Sequence, residues 1–218
     1  MQQIGDLQAD TFKSEQYFPT MVFNTACSDY EELNAYLLSL IYAERERDKQ
    51  GIERSNFRKL GGWHSHNNLH KDKAYKPLTD RIHQAGRRIS KQLGYHSDMY
   101  LRVGTMWSII NAPGSFNNAH VHPGSHWSGV YYVQTPKNAG DIEFTDPRTP
   151  YVMNQPTFEP GKKRGKENWT KVRFTPKAGR MLIFPSWLYH AVDPNLSEAA
   201  GQDAERVIIS FNMSQVNA

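Results

Sequence analysis

The chain has 218 residues, a length that suits one compact β-rich unit with a sizeable core, and its 38% hydrophobic residues and five Trp argue against a disordered chain. Its 26 basic and 22 acidic residues leave a net charge of +4 spread along the chain, so nucleic-acid binding is not demanded. Cys27 is alone and excludes an internal disulfide; Met1 to Asp10 is polar, and no run approaches the roughly 18 apolar residues of a membrane span, so a cytoplasmic, reducing setting is expected.

Along the chain, Tyr17 to Asn24 reads as a strand. Leu33, Leu37, Leu40 and Ile41 recur at helical spacing and predict a helix over Tyr30 to Lys49, with Ser28 as a candidate cap. Leu78, Ile82, Ile89 and Leu93 predict a second helix over Tyr75 to Leu93, with Gly94 as its stop signal. Between them lie His64, His66 and His70; the last two are one helical turn apart, but no cysteine or well-placed acid completes a zinc site.

Near residue 98 the pattern changes to short β-rich runs cut by Gly, Pro and Asn: Met99 to Asn111, His126 to Gln134, Asp141 to Thr145, Lys171 to Thr175, Arg180 to Phe184 and Val207 to Met213. Pro156 to Asn168 reads as a loop. The expected fold is mainly β with flanking helices, a double-stranded β-helix or jelly roll of the cupin-like type. Residues 1–97 would form a helical buttress and first strands, and residues 98–218 the jelly-roll core with a metal site, all within one domain. The helical part could furnish a dimer surface or merely buttress the barrel.

The chemistry concentrates in Asn118-Ala-His120-Val-His122-Pro, in Leu182 to His190, and in Arg206 to Phe211. Residues 120 and 122 point to the same face of a strand, so both imidazoles can address one ion, with His190 as a third ligand from a distant strand. In the last strand Val207, Ile209, Phe211 and Met213 alternate with Arg206, Ile208, Ser210 and Asn212, which turns Arg206 and Ser210 away from the outer apolar layer. An arginine pointing into a barrel needs a partner, and a dicarboxylate suits its fork. This is the parts set of a mononuclear non-heme iron site with an anchor for an acidic cosubstrate. Trp107 and Asn111 could line the same pocket, and Asn118 could orient a ligand or serve a turn.

Here the chain resembles the Fe(II)/2-oxoglutarate-dependent oxygenases. Trp107 to Tyr132, Leu182 to Val192 and Arg206 look like the aspartyl/asparaginyl β-hydroxylase branch. Arg54-Ser-Asn56, Gly61 to Ser65, His120 to Pro123, Ser128 to Tyr132, Phe184 to Trp187 and Ser210 to Asn212 are similar to a family of 2-oxoglutarate/iron oxygenases of bacteria and phages. The resemblance implies Fe(II), 2-oxoglutarate and O2 as the cofactor set. It also implies decarboxylation of 2-oxoglutarate to succinate, coupled to hydroxylation of an unactivated C–H bond of a small molecule, amino acid or peptide residue. It makes His120 and His190 iron ligands and Arg206 the grip on the far carboxylate of 2-oxoglutarate. Tyr131, taken to share the parity of His120, and Ser210 become further cosubstrate contacts. Arg58 and Gly61 to Ser65 would shape the barrel mouth.

The departure is His122, which stands where most of the superfamily has Asp or Glu. It could ligate; it could stand back and leave a vacancy in which a halide could bind; or Asp141, Glu143 or Asp193 could swing in. Two other functions remain open on sequence alone. A cupin-like three-histidine dioxygenase without 2-oxoglutarate explains His122 but leaves Arg206 unassigned, and a non-catalytic jelly-roll binding module makes the histidines mere packing.

Overall fold

The structure is a computed structural model that describes residue 12 and residues 14–217; the polar stretch Met1 to Asp10 lies outside the described residues. In chain order the elements are β1 (Phe23–Ala26), α1 (Tyr30–Arg47), α2 (Gly51–Arg54), β2 (Trp63–His64), α3 (Lys76–Leu93), β3 (Met99–Asn111), β4 (Asn117–His120) and β5 (Trp127–Gln134). There follow β6 (Ile142–Thr145), α4 (Thr149–Met153), β7 (Lys171–Phe174), β8 (Arg180–Pro185), β9 (His190–Val192) and β10 (Arg206–Asn217).

The two long helices form where the apolar spacing places them. Glu31 and Glu32 open α1 and Arg45 and Arg47 close it, complementing the helix dipole at both ends. Ser28 does not cap it: Asp29 stands at the N-cap, and its carboxylate is drawn across to Arg81 of α3 instead. Gly94 ends α3 in the left-handed region at φ 68°, where a side chain would be strained. The first strand falls later than expected, at Phe23–Ala26, because its partner is β8 and the register starts at Phe23 opposite Ile183.

The strands make two antiparallel sheets, β1-β8-β5-β10-β3-β2 and β4-β9-β6-β7, the architecture of a jelly roll. The helices cover the outer face of the larger sheet. Leu33, Leu37 and Ile41 of α1 and Leu78, Ile82 and Ile89 of α3 pack there with Val207, Ile209, Phe211 and Met213, the set that the alternation of β10 assigns to the outside. A second apolar cluster lies between the sheets, where Val130, Tyr132, Leu182, Phe184 and Ile208 meet Ile142 and Phe144. A bulge at Gly104 keeps this parity intact. Asn212 opposes Thr105 but Met213 opposes Val103, so Leu101 and Val103 face the helices together with Met106 and Ile110.

Residues 1–97 supply both the helices on the outer face and strands. They contribute β1 and β2, the two edge strands of the larger sheet.

Candidate metal and cosubstrate site

The smaller sheet brings the histidines together. His120 ends β4 and His190 begins β9, and the two stand directly opposite in the ladder. The Nδ1–H of His120 donates to the carbonyl of Asn118 at 2.7 Å and that of His190 to the carbonyl of Leu188 at 2.9 Å. Each bond fixes a tautomer and turns the Nε2 lone pair inward. Asn118 therefore does orient a ligand candidate, through its backbone oxygen.

His122 arrives differently from the sequence expectation. The strand stops at His120, so shared parity along one strand is not what aims His122. Its backbone N–H donates to Ser186 at 2.8 Å, and its Nε2 lies 3.3 Å from His190 Nε2. One donor atom from each of the three rings falls within 4.8 Å of the others. Burial holds His190 down to about 3 and His122 down to about 4, so both are neutral at physiological pH with lone pairs free. Neutral, convergent imidazole nitrogens fit a divalent transition metal.

No carboxylate joins them among the described residues. Glu143 is held by Lys171 at 2.7 Å and Arg173 at 2.8 Å, and Arg173 also reaches Asp193 at 3.7 Å. These salt bridges keep both acids with the cations of β7 and give neither a path to the imidazoles.

The three histidines open on a cavity of about 200 Å³ between the sheets, and Arg206 lines it too. Arg206 is fully buried. Its Nη1 donates to the carbonyls of Ala139 and, at 3.1 Å, Asp193; its Nη2 reaches Ser115 O at 3.4 Å; its Nε has no partner. Gly140 makes room for this cradle: at φ 87°, a Cβ there would lie 2.2 Å from the Asp193 carbonyl. Burial lowers the guanidinium to about 10, yet it stays charged at neutral pH, and no acid among the described residues forms an ion pair with it. A buried cation with an unused N–H and no counterion fits a ligand carboxylate.

Ser210 lines the cavity as expected, and so does Trp107, whose ring stacks on His64 with centroids 6.0 Å apart. Tyr131 does not. It belongs to the larger sheet while His120 belongs to the smaller, so parity counted through the intervening turn carries no meaning. Its hydroxyl donates to Asn34 Oδ1 of α1 at 2.7 Å, on the helix side. The neighbouring Tyr132 takes the cavity side, with its hydroxyl pushed up by burial. The regular alternation of Val130 and Tyr132 within β5 was the signal that could have found it. Asn56 and His64 also line the cavity, so the Gly61 to Ser65 segment reaches it through His64, whereas Arg58 does not line it and pairs with Glu53 at 2.7 Å; His66 and His70 join no metal-like cluster among the described residues.

Fold and site together define a double-stranded β-helix with a cluster of three histidines that could hold one metal ion, beside a buried arginine. Residues 105–212 match the family described as “Putative 2OG-Fe(II) oxygenase”, and that segment, about half of the chain, belongs to it. The chain is thus an oxygenase of the Fe(II)- and 2-oxoglutarate-using class, with dioxygen as co-reactant. Similar solved structures include a Pseudomonas putida prolyl-4-hydroxylase, 14% identical over 89% of this chain and 92% of that one, with a TM-score of 0.59. The α-ketoglutarate-dependent epimerase SnoN from nogalamycin biosynthesis is 12% identical over 91% and 79%, with a TM-score of 0.58. The viral collagen prolyl hydroxylase of Paramecium Bursaria Chlorella virus-1 is 13% identical over 88% and 94%, with a TM-score of 0.50. At these identities they speak for the fold. No curated protein matches the chain, and the aspartyl/asparaginyl β-hydroxylase branch is not confirmed.

Proposed function

We propose that His120, His122 and His190 hold Fe(II), that Arg206 anchors the distal carboxylate of 2-oxoglutarate, and that the enzyme hydroxylates an unactivated C–H bond of a small molecule, amino acid or peptide residue. The observation that carries this reading is the pairing, in one cavity, of three convergent neutral imidazoles with a buried arginine that has no acid partner. A three-histidine dioxygenase without 2-oxoglutarate would leave that charge uncompensated.

Bound iron and 2-oxoglutarate supply the oxidant, by activating dioxygen as the cosubstrate loses CO2 to become succinate. The chain's own residues do the rest. Three imidazoles bring no charge, so a divalent ion, a dianionic cosubstrate and the Arg206 cation would sum to +1, with the far carboxylate facing Arg206 in a dry setting. Ile109, Val130, Ile142, Phe184, Val192 and Ile208 wall the cavity with apolar surface that keeps water away from the reacting centre. Asn56, His64 and the Trp107 face stand where the substrate would approach. The fold itself does not choose among hydroxylation, epimerisation and related outcomes, since the similar structures include both hydroxylases and an epimerase.

Succinate formation tests the proposal. His120→Ala and His190→Ala are expected to stop it, with iron content lost. Arg206→Ala is expected to keep iron and raise the 2-oxoglutarate requirement by about 10- to 100-fold, the worth of a charge-assisted pair. Unchanged saturation by 2-oxoglutarate in Arg206→Ala would refute the anchor.

A further inference from the structure

His120 and His190 are each aimed by an Nδ1–H bonded to a backbone carbonyl, but neither ring nitrogen of His122 has such a partner among the described residues. The aim of His122 therefore depends on where its backbone sits. That backbone has left β4, and what holds it is the bond from His122 N–H to Ser186 O at 2.8 Å. The Ser186 N–H in turn donates to His126 O at 3.1 Å. Ser186, the first residue after β8, thus clasps both ends of the turn that carries His122.

Ser186 is itself tied down through its side chain. Ser128 Oγ lies 2.8 Å from Ser186 Oγ and 2.7 Å from Asn212 Oδ1, and Asn212 Nδ2 donates to Thr105 Oγ1 at 3.1 Å. A hydroxyl has one proton, and Asn212 Oδ1 can only accept. Ser128 therefore gives its proton to Asn212 and accepts that of Ser186, which fixes the order Ser186, Ser128, Asn212, Thr105 with every link made. Thr105, Asn212 and Ser128 stand opposite one another on β3, β10 and β5, so the chain crosses the larger sheet and ends at the clasp on His122. Ser128 and Ser186 are both buried, where a hydroxyl without its partner is costly, and a fully satisfied buried network rigidifies what it joins. None of the four lines the cavity, so contact with a ligand does not account for them.

We infer that Ser186, Ser128 and Asn212 are positioning residues for His122. Their hydrogen-bonded chain fixes the Ser186 carbonyl against the larger sheet, and that carbonyl sets where the His122 imidazole meets the metal. The inference rests on the proposed function, through the place of His122 at the iron.

The test is equilibrium dialysis of the full chain against Fe(II) under nitrogen. Ser128→Ala removes the middle link and is expected to weaken Fe(II) binding about 10-fold, the lower end of what outer partners of metal ligands cost. Ser128→Thr keeps the hydroxyl, on a strand that suits a β-branched residue, and is expected to bind Fe(II) as the wild type does. In a His122→Ala background the Ser128→Ala change is expected to cost nothing further, since groups that act through one another do not add. Should Ser128→Ala fail to fold, Ser186→Ala carries the same cycle. Wild-type affinity in Ser128→Ala, an equal loss in Ser128→Thr, or a loss that recurs undiminished beside His122→Ala would overturn the inference while leaving the oxygenase reading in place. Unchanged Fe(II) affinity in His122→Ala alone would remove His122 from the metal and overturn the inference together with that part of the reading.

Discussion

At the level of single residues, His120, His190 and Arg206 were legible because each sits in a short run whose neighbours fix its surroundings, and the alternation of β10 alone turns Arg206 inward. Tyr131 misled because its parity was carried across a turn into the other sheet. Asn111, expected to line the pocket, does not, and its buried Nδ2 without a partner is visible only once the chain is folded. His122 is the residue on which the metal chemistry turns. If it ligates, His122→Ala lowers Fe(II) affinity by at least about 100-fold, the upper end of what even an outer partner of a ligand costs. Equilibrium dialysis against Fe(II) under nitrogen reads this directly, and wild-type affinity in the variant would remove His122 from the metal.

Among elements, the helices could be read because eighteen residues are long enough for apolar positions to recur at helical spacing, most strongly in α3; β4 and β9, at four and three residues, are too short to show a period, although they position the site. α1 stabilises the larger sheet through fully buried Leu37 and Ile41 and through Asn34, whose Nδ2 donates to Val133 O at 2.7 Å. Leu37→Ala is expected to cost about 2–5 kcal/mol in urea denaturation without changing metal affinity, since the cavity it leaves is on the helix side of the sheet. The paired strands β6 and β7 carry a different load. Lys171, helped by Arg173, holds the Glu143 carboxyl below its ordinary 4.5. A carboxyl more acidic folded than unfolded contributes stability that is complete above the unfolded value and is lost as pH falls through the folded one. The stability gap between wild type and Glu143→Gln is therefore expected to shrink as pH falls below the ordinary carboxyl value of 4.5; a gap that widens on acidification would contradict this assignment.

For the whole molecule, the jelly roll was readable from the shift at residue 98 to short runs cut by turn residues, whereas the recruitment of β1 and β2 as sheet edges depends on long-range pairing that no local pattern encodes. No helix among the described residues is long and apolar enough to cross a membrane. Because the site ties β4, β9 and β10 together across both sheets, its ligands should stabilise the fold as a unit. Metal with 2-oxoglutarate at about 100 times its dissociation constant is expected to add about 2.7 kcal/mol, a rise in Tm of roughly 5–10 °C that a chelator reverses. The most direct test of the central claim is anaerobic titration of the metal-free protein with Fe(II) and then 2-oxoglutarate, followed by visible absorption. Chelation of iron by 2-oxoglutarate is expected to bring up a weak charge-transfer band in wild type that needs far more 2-oxoglutarate in Arg206→Ala; tight iron binding with no such band would contradict the account.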